Sequence, residues 1–121
     1  KLRHLDEWIQ GRRAAAKRYN EMLSCVVVPY EPDWSKAVYH LYIVRATNRE
    51  ALQKHLTDAG IATALHYPVP LNLQKAYDSN KASFPITEKV ASEILSLPMF
   101  PRLSPESQSR VAAGIAAFPS K

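Results

Sequence analysis

The residues best suited to chemistry form one short run, His66-Tyr67-Pro68-Val69-Pro70. An imidazole and a phenol can each donate and accept a hydrogen bond, so the first two residues are able to contact a ligand. The two prolines fix φ and lack a backbone donor, which stiffens the turn that follows. Loops held rigidly at the ends of strands are common positions for ligand-binding groups. The run therefore predicts a binding loop, and it fits at least as well a His–Tyr pair that bonds only within the protein.

Other motifs that carry chemistry are missing from the sequence. Three scattered glycines cannot build a phosphate-binding loop, and none of the patterns GxGxxG, GxxxxGK[ST] or GxSxG occurs. The histidines lack the spacing of metal ligands, so no metal site is expected. A single cysteine, Cys25, excludes an internal disulfide and a cysteine-rich zinc site. The chain thus contains no complete active site.

The composition is typical of one globular domain. The chain has 121 residues, 46% of them hydrophobic, and a chain of this size buries roughly two-thirds of its unfolded surface. No apolar run approaches the roughly 20 residues that cross a bilayer, and the charged start does not resemble a signal peptide. These features predict a soluble, cytoplasmic protein with no membrane partner. The chain begins without Met inside a predicted helix, which suggests a piece of a longer protein.

A formal charge of +5 is compatible with an anionic partner. Basic residues concentrate near the start of the chain, at Lys1, Arg3, Arg12, Arg13, Lys17 and Arg18. Two interpretations of this cluster stay open, a solvated helix face and an anion site.

The first part of the chain predicts one long helix and two strands. Apolar residues recur at helical spacing from Leu2, and proline is absent until Pro29, so a helix should run to about Leu23. Val26 to Val28 is a short β-branched run closed by proline, which indicates an edge strand. Val38 to Ala46 is the clearest strand, and both of its faces are largely apolar or aromatic. A strand of this kind should be covered on both sides.

A second helix and strand complete a compact unit. Thr47-Asn48-Arg49-Glu50 has the spacing of a capping box, and the helix that it starts should stop at Gly60. Ile61 to His66 predicts another strand, and strand, helix and strand together form a split βαβ unit, which is common in two-layer α+β domains.

The remaining predictions are a helical turn at 71–77, a polar loop at 78–83, a helix at about 85–95, a short extended piece at 96–100 and a last helix from Ser104-Pro105.

Several blocks of the sequence, taken in order, resemble a known family. The blocks are Arg12-Arg13, Tyr19-Asn20, Tyr39 to Arg45, Gly60-Ile61, His66 to Tyr77, Phe84-Pro85, Ala91 to Pro101 and the final helix. They are similar to the C-terminal part of the DegT/DnrJ/StrS family, which consists of pyridoxal-phosphate (PLP)-dependent sugar aminotransferases. The resemblance covers nearly the whole chain. Two residues depart from it, because Asn72 and Lys75 stand where members commonly carry His and Pro.

The resemblance implies a two-layer α+β small domain with a short, mostly antiparallel sheet, the C-terminal domain of fold-type-I aminotransferases. Residues 1–121 would be that single domain, without the N-terminal large domain that binds PLP. The parent enzyme would be a homodimer that uses PLP to transfer an amino group from glutamate to a keto sugar nucleotide. The Schiff-base lysine would belong to the large domain, since no lysine here lies in the family's serine-lysine-glycine context. The chain alone is therefore expected to be inactive, with no catalytic or cofactor-binding residue.

The same resemblance places the loop that begins at His66 at the edge of the active site. His66 and Tyr67 are therefore predicted to bind the substrate. A neutral imidazole and a phenol both donate and accept hydrogen bonds, as sugar hydroxyls and phosphate oxygens require.

Two alternatives stay open at this point. One is a freestanding ferredoxin-like module that binds a small ligand or RNA, with Tyr39 and Tyr42 stacking on bases. The sequence lacks an RNP-like K/R-G-F/Y pattern, so no nucleic-acid partner is expected. The other alternative is a non-catalytic family member that acts in regulation.

Overall fold

The computed structural model describes residues 1–77 and 82–119. Within these residues, helices pack on a two-stranded antiparallel sheet, which confirms the predicted α+β class. The predicted polar loop at 78–83 falls mostly outside the described residues. The elements are α1 (Leu5–Met22), β1 (Tyr42–Arg45), α2 (Arg49–Asp58), α3 (Pro85–Glu93), β2 (Ile94–Leu97) and α4 (Pro105–Ala116), with 3-10 turns at Leu2–His4, Leu71–Leu73 and Lys75–Tyr77.

The long helix α1 ends where the sequence predicts, next to Leu23. Its buried stripe consists of Ala15, Ala16 and Tyr19. The first apolar residues of the periodic pattern are not part of that stripe, because Leu2 is 84% exposed. Small residues in the middle of α1 allow it to approach α4 and the segment around Pro101 closely. The fully buried part of α1 thus lies in its C-terminal half.

The sheet pairs β1 with β2, with Tyr42 opposite Leu97 and Arg45 opposite Ile94. The prediction of a helix continuing through Ile94 and Leu95 is therefore wrong. Helical spacing continues past the end of α3, but pairing with β1 turns these residues into a strand. On the other edges, the strands predicted at 26–28 and 61–66 are reduced to single bridges, Val27 with Arg45 and Ala64 with Ser96.

The strand β1 is shorter than predicted, and its second face is partly covered. The backbone of Tyr39 has φ +48°, which interrupts the extended conformation before β1 begins. Tyr42 and Val44 are buried, whereas Ile43 and Arg45 are half-buried. At the end of α3, Glu93 Oε2 accepts a hydrogen bond of 2.6 Å from Arg45 Nη2. The last turn of α3 thus supplies part of the expected cover.

Helix ends follow the predictions only in part. The prediction of a capping box is wrong. Helix α2 begins at Arg49, and the side chain of its N-cap residue, Asn48, makes no capping hydrogen bond. The predicted stop is confirmed, since Gly60 has φ +71° and the Ile61 N–H bonds to the Leu56 carbonyl at 2.8 Å. The start of α4 is also confirmed, because Ser104 Oγ accepts a bond of 3.2 Å from the Ser107 N–H.

The core lies between the sheet and the helices α1, α2 and α4. Tyr19 and Tyr42 are both fully buried, with ring centroids 4.9 Å apart. Their hydroxyl groups are satisfied, because Tyr19 donates to the Pro98 carbonyl and Tyr42 to Asn20 Oδ1. Burial raises the pKa of Tyr19 to about 12. Around these rings pack Leu23, Val44, Leu52, Leu56, Ile61, Leu95, Leu97, Leu103, Val111 and Ile115.

In the part of the chain that the structure describes, no helix is both long and apolar enough to cross a membrane.

A carboxylate, Glu31, joins the loop before β1 to helix α1. Its Oε1 accepts hydrogen bonds from Arg13 Nη1 at 2.6 Å and from the Ala37 N–H at 2.7 Å. Its Oε2 accepts one from the Tyr39 hydroxyl at 2.9 Å. These donors, Arg13 foremost, lower the pKa of Glu31 from its ordinary 4.5 to about 2. The carboxylate therefore stabilises the fold only while it is ionised.

We expect Glu31→Gln to lower the melting temperature at neutral pH, and we expect this difference to shrink in acid. A lowered pKa stabilises the folded state above the unfolded value of 4.5, and this contribution is lost as the pH falls towards 2. The measurement is thermal unfolding of both proteins at a series of pH values. Asp33→Asn, an exposed neighbour, is the control. A difference that stays constant down to pH 2.5 would contradict the assignment.

Candidate functional site

The loop of residues 66–70, called the His66 loop below, leaves the sheet beside β2. The segment before it is anchored by two hydrogen bonds between Ala64 and Ser96, of 2.9 and 3.1 Å. Side chains two residues apart on an extended segment point to the same face, so His66 lies on the face that carries Ala64 and Ser96. His66 is half-buried and Tyr67 is 75% exposed. The backbone thus presents Tyr67 outward while it holds His66 against the sheet.

The imidazole of His66 is held by a serine on the adjacent strand. His66 Nδ1 lies 2.9 Å from Ser96 Oγ, and Ser96 is only 4% exposed. The ring of Tyr67 meets that of His66 edge to face, with centroids 5.8 Å apart. The peptide bond between the two residues is cis. Ser96 is the residue that sequence reasoning missed, although a lone polar residue between Leu95 and Leu97 was a signal in the sequence.

A shallow apolar cavity of about 480 Å³ lies beside Tyr67, between the His66 loop and α3. Val69, Pro70 and Leu71 line it on one side, and Ile86 and Val90 line it on the other. The Tyr67 hydroxyl makes no hydrogen bond within residues 1–77 and 82–119. Tyr67 therefore lines this cavity with a phenol that is largely exposed.

Asn72, one of the two departures from the family pattern, has a structural contact. Its Nδ2 donates to Glu88 Oε1 at 2.9 Å and lies 3.2 Å from the Ala82 carbonyl. The same Glu88 oxygen accepts from the Phe84 N–H at 3.0 Å. Asn72 thus ties the turn after the His66 loop to the start of α3. Lys75, the second departure, is exposed.

Apolar side chains cluster on the exposed surface around the His66 loop. They are Tyr67, Val69, Leu71, Leu73, Tyr77, Phe84 and Ile86, each between 47% and 81% exposed. Apolar groups gathered in this way mark interaction surfaces in soluble proteins. The face that carries the His66 loop is therefore suited to contact another protein surface.

We expect the purified 121-residue chain to self-associate through this apolar face. Ile86→Lys should weaken the association, because a charge would be buried in the contact. Trp34→Lys removes an apolar residue that is also highly exposed (88%, against 81% for Ile86) and lies in the loop before β1, so it is the matched control. Sedimentation equilibrium over a concentration series measures the effect. A monomer at every concentration would contradict the expectation.

A Schiff base with PLP forms on a lysine side chain, so the exposure of the lysines bears on where the cofactor could bind. The lysines among them, Lys1, Lys17, Lys36, Lys54, Lys75 and Lys89, are all exposed. A Schiff-base lysine needs a pocket that shields its bond from water and a cradle for the phosphate. Lys17 lines a cavity of about 410 Å³ beside Glu31 and Tyr39, but its side chain is exposed to water. Within the same residues, no group of three or more His, Cys, Asp and Glu side chains could hold a metal ion.

The two tyrosines on which the RNA-binding alternative depends are buried in the core. Tyr39 and Tyr42, which were expected to stack on bases in that alternative, are 9% and 0% exposed. Both rings belong to the core cluster, and stacking on a base requires an accessible face. Their burial does not support the alternative in which Tyr39 and Tyr42 stack on bases.

The fold is that of a domain found in aminotransferases. It superimposes on a crystal structure of a DegT/DnrJ/EryC1/StrS aminotransferase from Brucella abortus with a TM-score of 0.92 and 35% sequence identity. The match covers 99% of this chain and 33% of that one. Residues 1–116 match the DegT/DnrJ/EryC1/StrS aminotransferase family. The chain belongs to this family, which confirms the resemblance drawn from the sequence.

Two relatives extend the comparison. The chain is 42% identical to the erythromycin biosynthesis sensory transduction protein EryC1 of Saccharopolyspora erythraea, over 97% of this chain and 34% of the relative. It is 40% identical to a dTDP-3-amino-3,6-dideoxy-α-D-galactopyranose transaminase of Aneurinibacillus thermoaerophilus, over 95% of this chain and 32% of the relative. The chain spans about a third of the length of these relatives.

Proposed function

We propose that residues 1–121 form the C-terminal small domain of a PLP-dependent aminotransferase. This enzyme transfers an amino group from glutamate to a keto sugar nucleotide in the cytoplasm. The observation that carries the proposal is the family match over residues 1–116, together with 40% identity to a nucleotide-sugar transaminase. The exposed lysines support the location of the PLP chemistry in another domain of the enzyme.

In this proposal, His66 and Tyr67 bind the sugar nucleotide. The half-buried imidazole and the exposed phenol can both contact hydroxyl and phosphate oxygens. PLP, when bound in the large domain, supplies the electron sink for amino transfer. The apolar face around the His66 loop packs against the large domain and the second subunit of a homodimer, which excludes water from the substrate. The chain's own contribution is therefore binding and enclosure of the substrate.

The test uses the full-length protein that contains this domain. It is supplied with PLP, glutamate and a panel of dTDP- and UDP-linked keto sugars, and formation of 2-oxoglutarate is measured. We expect turnover with at least one sugar nucleotide and none with the 121-residue chain under the same conditions. An upstream sequence without a Schiff-base lysine, or no turnover with any sugar in the panel, would contradict the proposal.

A second candidate function is regulation without catalysis. It is favoured by the name of one relative, a sensory transduction protein that is 42% identical. A non-catalytic member would bind a sugar nucleotide or a partner without forming 2-oxoglutarate. Calorimetric titration of the full-length protein with the same sugar panel separates the two candidates, because binding without turnover supports regulation.

A further inference from the structure

The backbone of Ser96, the serine that contacts His66, is held within the sheet on both sides. The Cα of Ser96 pairs with that of Ile43 on β1, and its backbone N–H and C=O both bond to Ala64 on the other side. Ser96 is 4% exposed. Rotation of the hydroxyl is therefore the main freedom left to this residue.

The surroundings of the Ser96 hydroxyl determine which way its hydrogen bond runs. Within residues 1–77 and 82–119, the hydroxyl makes one hydrogen bond, to His66 Nδ1 at 2.9 Å. If the Nδ1–H donated to the serine, the serine's own O–H would be left buried without an acceptor, which is unfavourable. If the O–H donates to Nδ1, both groups are satisfied. The second arrangement requires the tautomer of His66 that carries its proton on Nε2.

We infer that Ser96 is a positioning residue that fixes His66 as the Nε2–H tautomer. The imidazole then presents a hydrogen-bond donor, Nε2–H, to an acceptor oxygen of the bound sugar nucleotide, either a phosphate or a sugar oxygen. This inference rests on the proposed function for the identity of the ligand. The inference also specifies the direction of the hydrogen bond between His66 and the ligand. His66 would donate it, so the ligand atom would be an acceptor oxygen and not a donor.

The first experiment is a double-mutant cycle in the full-length protein. Ser96→Ala should raise KM for the sugar nucleotide about two- to tenfold with kcat nearly unchanged, the range of one weakened hydrogen bond. His66→Ala combined with Ser96→Ala should have the same KM as His66→Ala alone, since Ser96 acts only through the imidazole. Additive effects of the two substitutions would overturn the inference while the aminotransferase activity itself stands.

A matched pair of variants at Ser96 distinguishes the effect of the hydroxyl group from the effect of side-chain shape. Thr and Val have the same shape and both suit a strand, but only Thr retains the hydroxyl. We expect Ser96→Thr to keep a KM near that of the wild type and Ser96→Val to behave like Ser96→Ala. Equal KM values for the Thr and Val variants would show that packing matters and not the hydrogen bond, and the inference would fail.

A measurement without turnover decides the tautomer directly. Nitrogen NMR of protein labelled with ¹⁵N-histidine is recorded at pH 8.5, and the His66→Gln variant assigns the His66 signal. We expect a protonated Nε2 and an unprotonated Nδ1 in the wild type and in Ser96→Thr, and mixed tautomers in Ser96→Val. A protonated Nδ1 in the wild type would overturn the inference. This result holds even for a protein with no aminotransferase activity, in which case only the proposed function fails.

Discussion

Replacing Gly11 with alanine is expected to destabilise the protein by about 1–3 kcal/mol, the usual cost of overpacking. The same substitution at an exposed position inside a helix would stabilise it by about 1 kcal/mol. The sign is reversed because α1 packs directly on the backbone at Pro101. A Cβ built on Gly11 would lie 2.2 Å from the Pro101 carbonyl oxygen and 3.0 Å from its carbon. Backbone atoms cannot rotate away, so the helix or the loop must move.

The free energy of unfolding, measured in urea for both proteins, tests this expectation. Gly114→Ala is the matched control, since Gly114 lies inside α4 and its Cβ would meet side-chain atoms, Ile61 Cδ1 at 2.8 Å and Leu56 Cδ2 at 3.1 Å. Side-chain ends can shift more cheaply than backbone, so the control should lose less stability. A Gly11→Ala protein that is more stable than the wild type would show that α1 does not contact the Pro101 segment.

Some helix ends could be predicted from the sequence, because the residues at those ends determine the start or the stop of the helix locally. The pair Ser104-Pro105 predicts the start of α4, because a serine cap and a proline at the first helical position act within one turn. Gly60 predicts the end of α2 for a similar reason, since its positive φ is a property of one residue. These features depend on neighbours in the sequence and need no knowledge of the fold.

The bounds of the strands could not be predicted from the sequence, because they depend on pairing between segments that are distant in the chain. Ile94 continues the apolar spacing of α3, so only its partner Arg45 on β1 reveals that it begins a strand. Likewise, the edge segments around Val27 and Ala64 have strand composition, but each pairs with its neighbour at a single bridge. The capping box failed because its residue types occur together without the capping bond that defines the motif.

The candidate site likewise has one part that the sequence predicts and one part that it does not. His66 and Tyr67 are visible in the sequence, because prolines beside two polar aromatic groups are an unusual local pattern. Ser96 is thirty positions away from His66, and it becomes a partner only through the register between Ala64 and β2. A contact of this kind follows from strand register, which the sequence does not specify for so short a sheet.

Replacing His66 with alanine, or Tyr67 with phenylalanine, should raise KM for the sugar nucleotide in the full-length protein. Each change removes one hydrogen-bonding group, and a lost hydrogen bond of about 0.5–1.5 kcal/mol corresponds to about a two- to twelvefold higher KM. PLP binding should be unaffected, because the proposed function places the cofactor in the large domain. Steady-state kinetics and the absorption spectrum of the bound cofactor measure the two effects separately.

The chain offers a matched control for each variant. His40→Ala removes an exposed imidazole at the opposite end of β1, and Tyr30→Phe removes the hydroxyl of a tyrosine that is 88% exposed. Neither control should change KM.

The two site variants differ in their effect on the stability of the protein, since His66→Ala also leaves the buried Ser96 hydroxyl without its partner. That penalty is present with and without substrate, so it lowers the melting temperature and not the affinity. An unchanged KM in both site variants, with a lower melting temperature in His66→Ala, would therefore assign the pair a structural role. A raised KM with normal cofactor absorption would assign the pair to substrate binding.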